Sequence, residues 1–243
     1  QGLIERFLPE EDRWTAIGGA ALHEGLRLRT GGDGSIALRL ADGGSLRLHN
    51  DTELVLATAS FELLSGTVYF DSAGRVPGNS VEIVTPLGRV RDIGTQFEVR
   101  ATSTSLRVRT RSGEIAVLDS PAAQPLASQT GEEIELFAAG QVSRRSFAPD
   151  DPQWGWAEAL AVAPDLATPT VLAYLEWIAA ETGRQLRFES EAVRLQANVA
   201  RFLGDPAGLL PTELLITITA TSDFSYALTS DGGILIGRDD RVQ

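Results

Sequence analysis

Acids, two histidines and a set of arginines interleaved with apolar residues are the chemistry-bearing side chains of this 243-residue chain. Asp33, Asp42 and Asp51 recur every nine residues, a spacing that invites a calcium reading. Calcium needs about six to eight convergent oxygens at roughly 2.3–2.6 Å. Single aspartates on successive corners of a chain do not converge, and Asp-Gly is common turn chemistry, so the three are expected to shape turns. His23 and His49 are the only histidines, and no helical or hairpin spacing joins them into a zinc half-site; structural or surface roles are expected. With no cysteine, thiolate metal sites, disulfides and thiol nucleophiles are excluded. A pair of carboxylates on a β face would suit glycoside hydrolysis. The acids fall instead at turns and between strands, and no Gly-x-Ser-x-Gly nucleophile motif occurs. The expectation is no catalytic residue, no metal ligand and no cofactor.

All 21 basic residues are arginine, and the net charge is −12. An acidic chain lacks the cationic face that supplies most affinity for nucleic acid, and it is repelled by an anionic leaflet. Proteins or neutral ligands remain as partners. Arg27, Arg29, Arg39, Arg47, Arg107, Arg109 and Arg111 each alternate with apolar residues, which places them on the sheet face opposite the core. There they pair with acids across strands, at about 0.2–1 kcal/mol a pair, or form an arginine-studded face for an acidic partner or anionic ligand. Trp154, Trp156 and Trp177 flank or lie in the second half, as packing between halves or as interface anchors.

The elements that position these residues are mostly strands. Leu26 and Leu28, then Ile36, Leu38 and Leu40, then Leu46 and Leu48, then Leu54 and Leu56 follow period-two alternation, apolar on one face and charged on the other. Gly31-Gly32-Asp33-Gly34, Asp42-Gly43-Gly44 and His49-Asn50-Asp51 are turns between them, a short repeat compatible with a meander or a loosely coiled solenoid. Further strands are expected at 67–70, 80–85, 95–100, 105–110, 114–118, 132–137 and 141–145, with surface loops at 74–79 and 120–130. Ala148-Pro149-Asp150-Asp151-Pro152 reads as a linker. Beyond Pro164 a helix is expected from the stripe Leu172, Leu175, Ile178 and Ala179, with Pro169 near its start and Gly183 past its end. Strands at 185–189 and 198–203 follow. A helix from about Thr212 carries Leu214, Leu215 and Ile218 inward, against the lower helix propensity of its β-branched residues. Two closing strands, 224–228 and 234–237, complete the chain.

No apolar run approaches the roughly 20 residues of a membrane span, and no signal peptide is visible. The chain opens Gln1-Gly2 and contains no methionine, which reads as a processed chain or a piece of a longer one. Thr85-Pro86-Leu87-Gly88, followed by Gly94-Thr95-Gln96-Phe97-Glu98-Val99, resembles the FecR-domain signature, Thr-Pro-x-Gly, a short gap, then Gly-Thr-x-Phe-x-Val. Ala41–Leu48, Gly113–Val117 and Ala139–Val142 extend the resemblance over approximately Gly25–Val142. The signature residues Thr85, Pro86, Gly88, Gly94, Thr95, Phe97 and Val99 read as backbone and core devices, not as a ligand site. Trp156 to Gly237 resembles the small β-α-β, β-α-β domain at the end of many FecR proteins, which also opens secretins and TonB-dependent transducers as their short N-terminal domain. Thr182-Gly183-Arg184 and Gly208-Leu209 fit; the glutamate-rich helix usual after Gly-Leu is represented only by Glu213.

The expected fold is therefore mainly β with a small α+β C-terminal domain. A β-sandwich or solenoid-like FecR-type domain over 1–147 (core 25–142) is followed by a linker over 148–163 and a βαβ-βαβ-type domain over 164–243. The resemblance implies the periplasmic sensor part of a single-span inner-membrane regulator, an anti-sigma factor for an extracytoplasmic-function sigma factor. Its partner would be the signalling domain of an outer-membrane, TonB-dependent transducer or another envelope protein. The sigma factor and the membrane would be met only by an upstream segment outside this sequence. Phe224, Tyr226, Ile234, Ile236 and Trp177 are the expected partner-binding residues, because the closing strands are candidate edges for strand addition. An envelope β module binding a carbohydrate or other cell-wall ligand is the competing reading.

Overall fold

The computed structural model describes residues 2–17, 22–41, 43–57, 60–72, 80–122, 124–164 and 170–239. It is mainly β, with a small α+β region at its C-terminal end. The chain divides into two compact units, Gln1–Ala148 and Pro149–Gln243.

Fifteen strands are described in the first unit. They are β1 (Ile4–Leu8), β2 (Arg13–Ala16), β3 (Arg27–Thr30), β4 (Ile36–Arg39), β5 (Ser45–Leu48), β6 (Glu53–Leu56), β7 (Ser60–Asp71) and β8 (Glu82–Thr85). After these come β9 (Gly88–Asp92), β10 (Gln96–Ala101), β11 (Ser105–Ser112), β12 (Glu114–Leu118), β13 (Leu126–Gln129), β14 (Glu132–Phe137) and β15 (Val142–Ser146). They form two ladders that share β7. One runs β2-β1-β3-β6-β7-β8-β9-β12-β13 and the other β4-β5-β7-β10-β11-β14-β15. Every pairing is antiparallel except β7 with β8.

Strand β7 serves both ladders because it changes course at Gly66. Its first half pairs with β6 and β8, and its second half pairs with β5 and β10. Gly66 has φ +99° and lies so close to Thr52 that a β-carbon would fall 2.4 Å from its Cα. Only glycine satisfies both conditions. The chain crosses between ladders again at Gly113, between β11 and β12.

The alternating leucines supply one core from both ladders. Leu28, Leu54, Leu63, Ile83 and Ile115 from the first meet Leu46, Leu48, Phe70, Phe97, Val99 and Leu106 from the second in a single buried cluster. Each such side chain contributes about 1.5–3 kcal/mol on burial. The stretch expected as a loop over 120–130 contains β13. Its polar Ser128 is satisfied inside the unit, sharing a hydrogen bond with the Thr110 hydroxyl (2.8 Å) and donating to the Glu132 carbonyl (3.1 Å). The expected loop over 74–79 lies outside the described residues.

The second unit opens with a 3₁₀ turn (Pro152–Trp154) and the short helix α1 (Gly155–Glu158), where a linker was expected. Asp151 caps the turn by accepting the Gln153 N–H at 2.8 Å, and Trp154 and Ala157 are fully buried. Helix α2 (Val171–Thr182), strand β16 (Leu186–Phe188), helices α3 (Glu191–Val199) and α4 (Pro211–Ala220), and strands β17 (Phe224–Leu228) and β18 (Ile234–Arg238) follow. Thr170 caps α2 through the Ala173 N–H, at 3.2 Å. The expected strand over 198–203 is not a strand. Ser190 accepts the Val193 N–H at 3.3 Å and starts α3, whose Ala, Gln and Arg residues favour helix through Val199; only Arg201 then makes an isolated bridge, to Thr170.

Helix α4 begins one residue before the expected Thr212. Pro211 sits at its first position, and the Glu213 carboxylate accepts the Leu210 N–H at 2.9 Å. Its β-branched threonines are accommodated by bonding back one turn: Thr217 to the Glu213 carbonyl (2.8 Å), Thr219 to that of Leu215 (3.0 Å) and Thr221 to that of Thr217 (2.7 Å).

The sheet of this unit has the order β16-β18-β17, with β16 parallel and β17 antiparallel to β18. The last strand is thus central, which corrects the expectation that both closing strands are edges. Leu172, Leu175, Ile178, Leu214, Ile218, Phe224, Ile234 and Ile236 build its core. Among the described residues no helix is long and apolar enough to cross a membrane.

Candidate functional site

The first candidates to place are the acids and histidines. Asp33 accepts the Leu3 N–H at 3.4 Å, Asp51 adopts a left-handed turn conformation with φ +50°, and Asp42 lies outside the described residues. The His23 ring meets the neighbouring Glu24 carbonyl at 2.9 Å, and the His49 ring nitrogen accepts the Asn50 N–H at 2.8 Å. These are local turn contacts. Among the described residues no group of three or more His, Cys, Asp or Glu is placed to hold a metal ion.

The arginines are far more ordered than alternation alone implies. One register row crosses the second ladder as Arg47, Tyr69, Glu98, Arg109, Glu133 and Arg145, with each residue directly opposite the next. The guanidinium of Arg47 lies 5.1 Å from the Tyr69 ring centroid, and that of Arg109 lies 4.4 Å from the Phe147 ring. Ion pairs join Arg107 to Glu98 (3.0 Å), Arg109 to Glu133 (3.3 Å) and Arg145 to Glu133 (2.5 Å). Arg47, Glu98 and Arg109 are no more than 3% exposed, so the face opposite the core is itself buried here. Arg111 is buried as well, and Arg39 is exposed.

On the first ladder, Arg27 pairs with Glu53 (2.5 Å) and Arg29 with Glu5 (2.6 Å). The Arg27 guanidinium lies over Phe7 and Trp14, and that of Arg29 lies 4.2 Å from the Trp14 ring. Cross-strand pairing thus accounts for Arg27, Arg29, Arg107 and Arg109. Glu98 and Glu133 escaped the sequence reading, although each lies between apolar residues or acids in a strand and faces an arginine once the register is known.

The signature residues sit on two adjoining pieces of backbone. Thr85 and Gly88 close the β8–β9 hairpin, spanning Pro86: the Thr85 hydroxyl donates to the Gly88 carbonyl (2.8 Å) and accepts the Leu87 N–H (3.3 Å). Gly94 leads into β10, and the Thr95 hydroxyl, buried, donates to the Asp92 carboxylate. Phe97 and Val99 are fully buried, with the Phe97 ring 5.6 Å from Phe70.

The expected partner-binding residues divide. Phe224, Ile234 and Ile236 are at most 2% exposed and belong to the core, and Trp177 is half-buried against it. Tyr226, also among the expected residues, is 38% exposed, and Leu228, which was not among them, is 59% exposed.

Backbone geometry adds to this. The Thr229 N–H bonds the Gly233 carbonyl (2.9 Å), and the Asp239 N–H bonds the Asp223 carbonyl (2.9 Å). With the register Leu228↔Ile234, Tyr226↔Ile236 and Phe224↔Arg238, the odd-numbered residues of β17 face β18. The N–H and C=O groups of Phe224, Tyr226 and Leu228 therefore point away from it. Among the described residues β17 pairs only with β18. It carries no charge, proline or bulge that would block another strand.

Residues 27–116 match the model of the FecR protein family. That stretch runs from β3 into β12 and contains both pieces of the signature. Two crystal structures, at 1.65 and 2.50 Å, of a candidate anti-sigma factor from Parabacteroides distasonis ATCC 8503 are similar to this chain at 14% identity and a TM-score of 0.47. They cover 86% and 87% of this chain and 97% and 98% of their own. No curated protein matches.

Proposed function

We propose that this chain is the periplasmic sensor part of a FecR-type transmembrane regulator, an anti-sigma factor that relays a signal to an extracytoplasmic-function sigma factor by protein–protein contact. The observation that carries the reading is the family match over residues 27–116. On this reading the first unit is a β-sandwich, two ladders closed over one core. The second unit is a variant of the short N-terminal domain of secretins and transducers. The membrane span and the sigma-binding segment belong to sequence upstream.

The partner is the signalling domain of a TonB-dependent transducer, and it docks by adding a strand to β17. Three features favour that edge: a row of outward N–H and C=O groups, an apolar flank at Tyr226 and Leu228, and no charged residue in the strand. The carbohydrate reading is less favoured, because the guanidinium of Arg29 occupies the half-buried Trp14 ring face at 4.2 Å. A sugar would need that face free.

Calorimetric titration of the 243-residue chain with the cognate transducer's signalling domain tests the proposal. Saturable binding is expected, and it should be lost in Tyr226→Pro. Proline there removes an outward N–H and leaves the rungs to β18 in place. No heat with the wild-type chain, or undiminished binding by the proline variant, would refute docking at this edge.

A further inference from the structure

We propose that Arg184 is a clamp that ties the turn beside the β17 edge to the segment by which the chain enters the second unit, so that occupancy of the edge is felt there. The inference rests on the strand-addition reading for its trigger, but the clamp itself is built from residues outside that edge.

Arg184 lies just past α2 and donates through Nη1 to the Gly232 carbonyl at 2.5 Å. The same Nη1 is 3.1 Å from the Asp150 carboxylate, and the two side chains are only 24% and 27% exposed. Gly232 completes the arrangement. It has φ +81°, and a β-carbon there would fall 2.6 Å from Asp150 Oδ2. The carboxylate therefore rests against the bare backbone of the turn, and Arg184 holds both. Residues 150, 184 and 232 are remote in sequence, so their convergence is a property of the fold.

Each end of the clamp leads somewhere. At one end, the turn is the direct continuation of β17. Thr229, next to the outward-facing Leu228, bonds Gly233 and accepts the Gly232 N–H at 2.9 Å. Arg187 fixes the same turn from β16 through Asp231, at 2.6 Å. At the other end, Asp150 precedes Asp151, which caps the turn carrying the buried Trp154. A strand added to β17 changes the twist and freedom of that edge. The turn cannot follow without moving the Gly232 carbonyl, and Arg184 then either carries Asp150 along or releases it.

Hydrogen exchange on the full chain tests the clamp in two arms. In the free protein, Arg184→Gln should raise exchange at Gly232 and at Trp154 together, by about tenfold or more for a lost local closure. Asp150→Asn should do the same, while Arg187→Gln should affect the turn alone. Unchanged exchange at Trp154 in both Arg184→Gln and Asp150→Asn would overturn the clamp. In the second arm the cognate transducer's signalling domain is added. Protection of Phe224–Leu228 should be accompanied by altered exchange at Gln153 and Trp154 in the wild type. In Arg184→Gln, binding should persist within about threefold while the remote change disappears. Persistence of the remote change without Arg184 would overturn the coupling. Failure of the wild type to bind would instead sink strand addition, and the first arm would still decide the clamp.

Discussion

Replacing Glu133 by alanine should destabilise the first unit far more than a surface acid would. Glu133 is 7% exposed and faces two arginines, Arg109 at 3.3 Å and Arg145 at 2.5 Å. These are unequal partners: the Arg145 side chain is 64% exposed and that of Arg109 only 2%. A pair with the exposed end is worth under about 1 kcal/mol. Removing one partner of a buried pair costs about 3–5 kcal/mol, because the other charge has lost its counter-ion and its water. Phe147 still covers Arg109 at 4.4 Å and keeps some of that stabilisation, so about 3 kcal/mol is expected. For a unit of 148 residues that is a fall of about 6–12 °C in Tm. Scanning calorimetry, following the transition of the first unit, measures it. Arg145→Ala should move the same transition by about 3 °C or less, and Arg109→Met with Glu133→Leu should recover most of the loss, since apolar replacement of a buried pair is near neutral. Equal, small shifts for Glu133→Ala and Arg145→Ala would show that the row is not energetically buried.

Gly66→Ala should cost about 2 kcal/mol or more, from a positive φ and a β-carbon forced onto Thr52; urea unfolding of the variant checks it, and a neutral result would mean β7 does not need its change of course. Phe97→Ala, at the centre of the core, should lose about 3–5 kcal/mol by the same assay. The Asp231 carboxyl is held down to about 2 from its ordinary 3.8, first by the Thr229 hydroxyl and then by Arg187. A depressed carboxylate stabilises the fold above its ordinary value and loses that contribution as pH falls through its folded value. The β17–β18 turn should therefore loosen between about pH 4 and pH 2, read as faster exchange at Gly232, and Asp231→Asn should abolish that dependence.

Much of the fold was legible because its signals are local. Leucines at period two, from Leu26 to Leu56, and Gly- and Asp-rich turns between them prescribe strands and corners whatever the partner. Helix α2 showed a clear stripe ended by Gly183. Most of the misses have a different cause, and one is a local signal outweighed by its neighbours. Ser128 looks like loop until Thr110 and Glu132 are brought to it by the fold. Helix α3 depends on the Ser190 cap, which the apolar residues from Val199 to Leu203 outweighed in the reading. The central place of β18 follows from a parallel pairing with β16 across 48 residues, from Leu186 to Ile234, and no local pattern encodes it. Burial of Arg47 and Arg109 is likewise a long-range property, since alternation assigns a face but not what becomes of that face.

The fate of the carboxylates bears directly on what the molecule can do. A glycosidase-like pair needs two acids about 5–9.5 Å apart, one of them kept protonated by an apolar or like-charged setting. Here Glu5, Glu53, Glu82, Glu98, Glu133, Asp150 and Asp231 each lie within 3.3 Å of a guanidinium. In each of these contacts the carboxylate is matched to an arginine and not to a second acid. The same pairing fixes side chains across strands and quiets the faces on which they sit. Among the described residues of the second unit, the outward backbone row of β17 pairs with no other strand, and hydrogen bonding to an added strand is the chemistry such a row offers. On the proposed reading, ion-paired faces beside the uncharged outward edge of β17 would direct a partner to that edge.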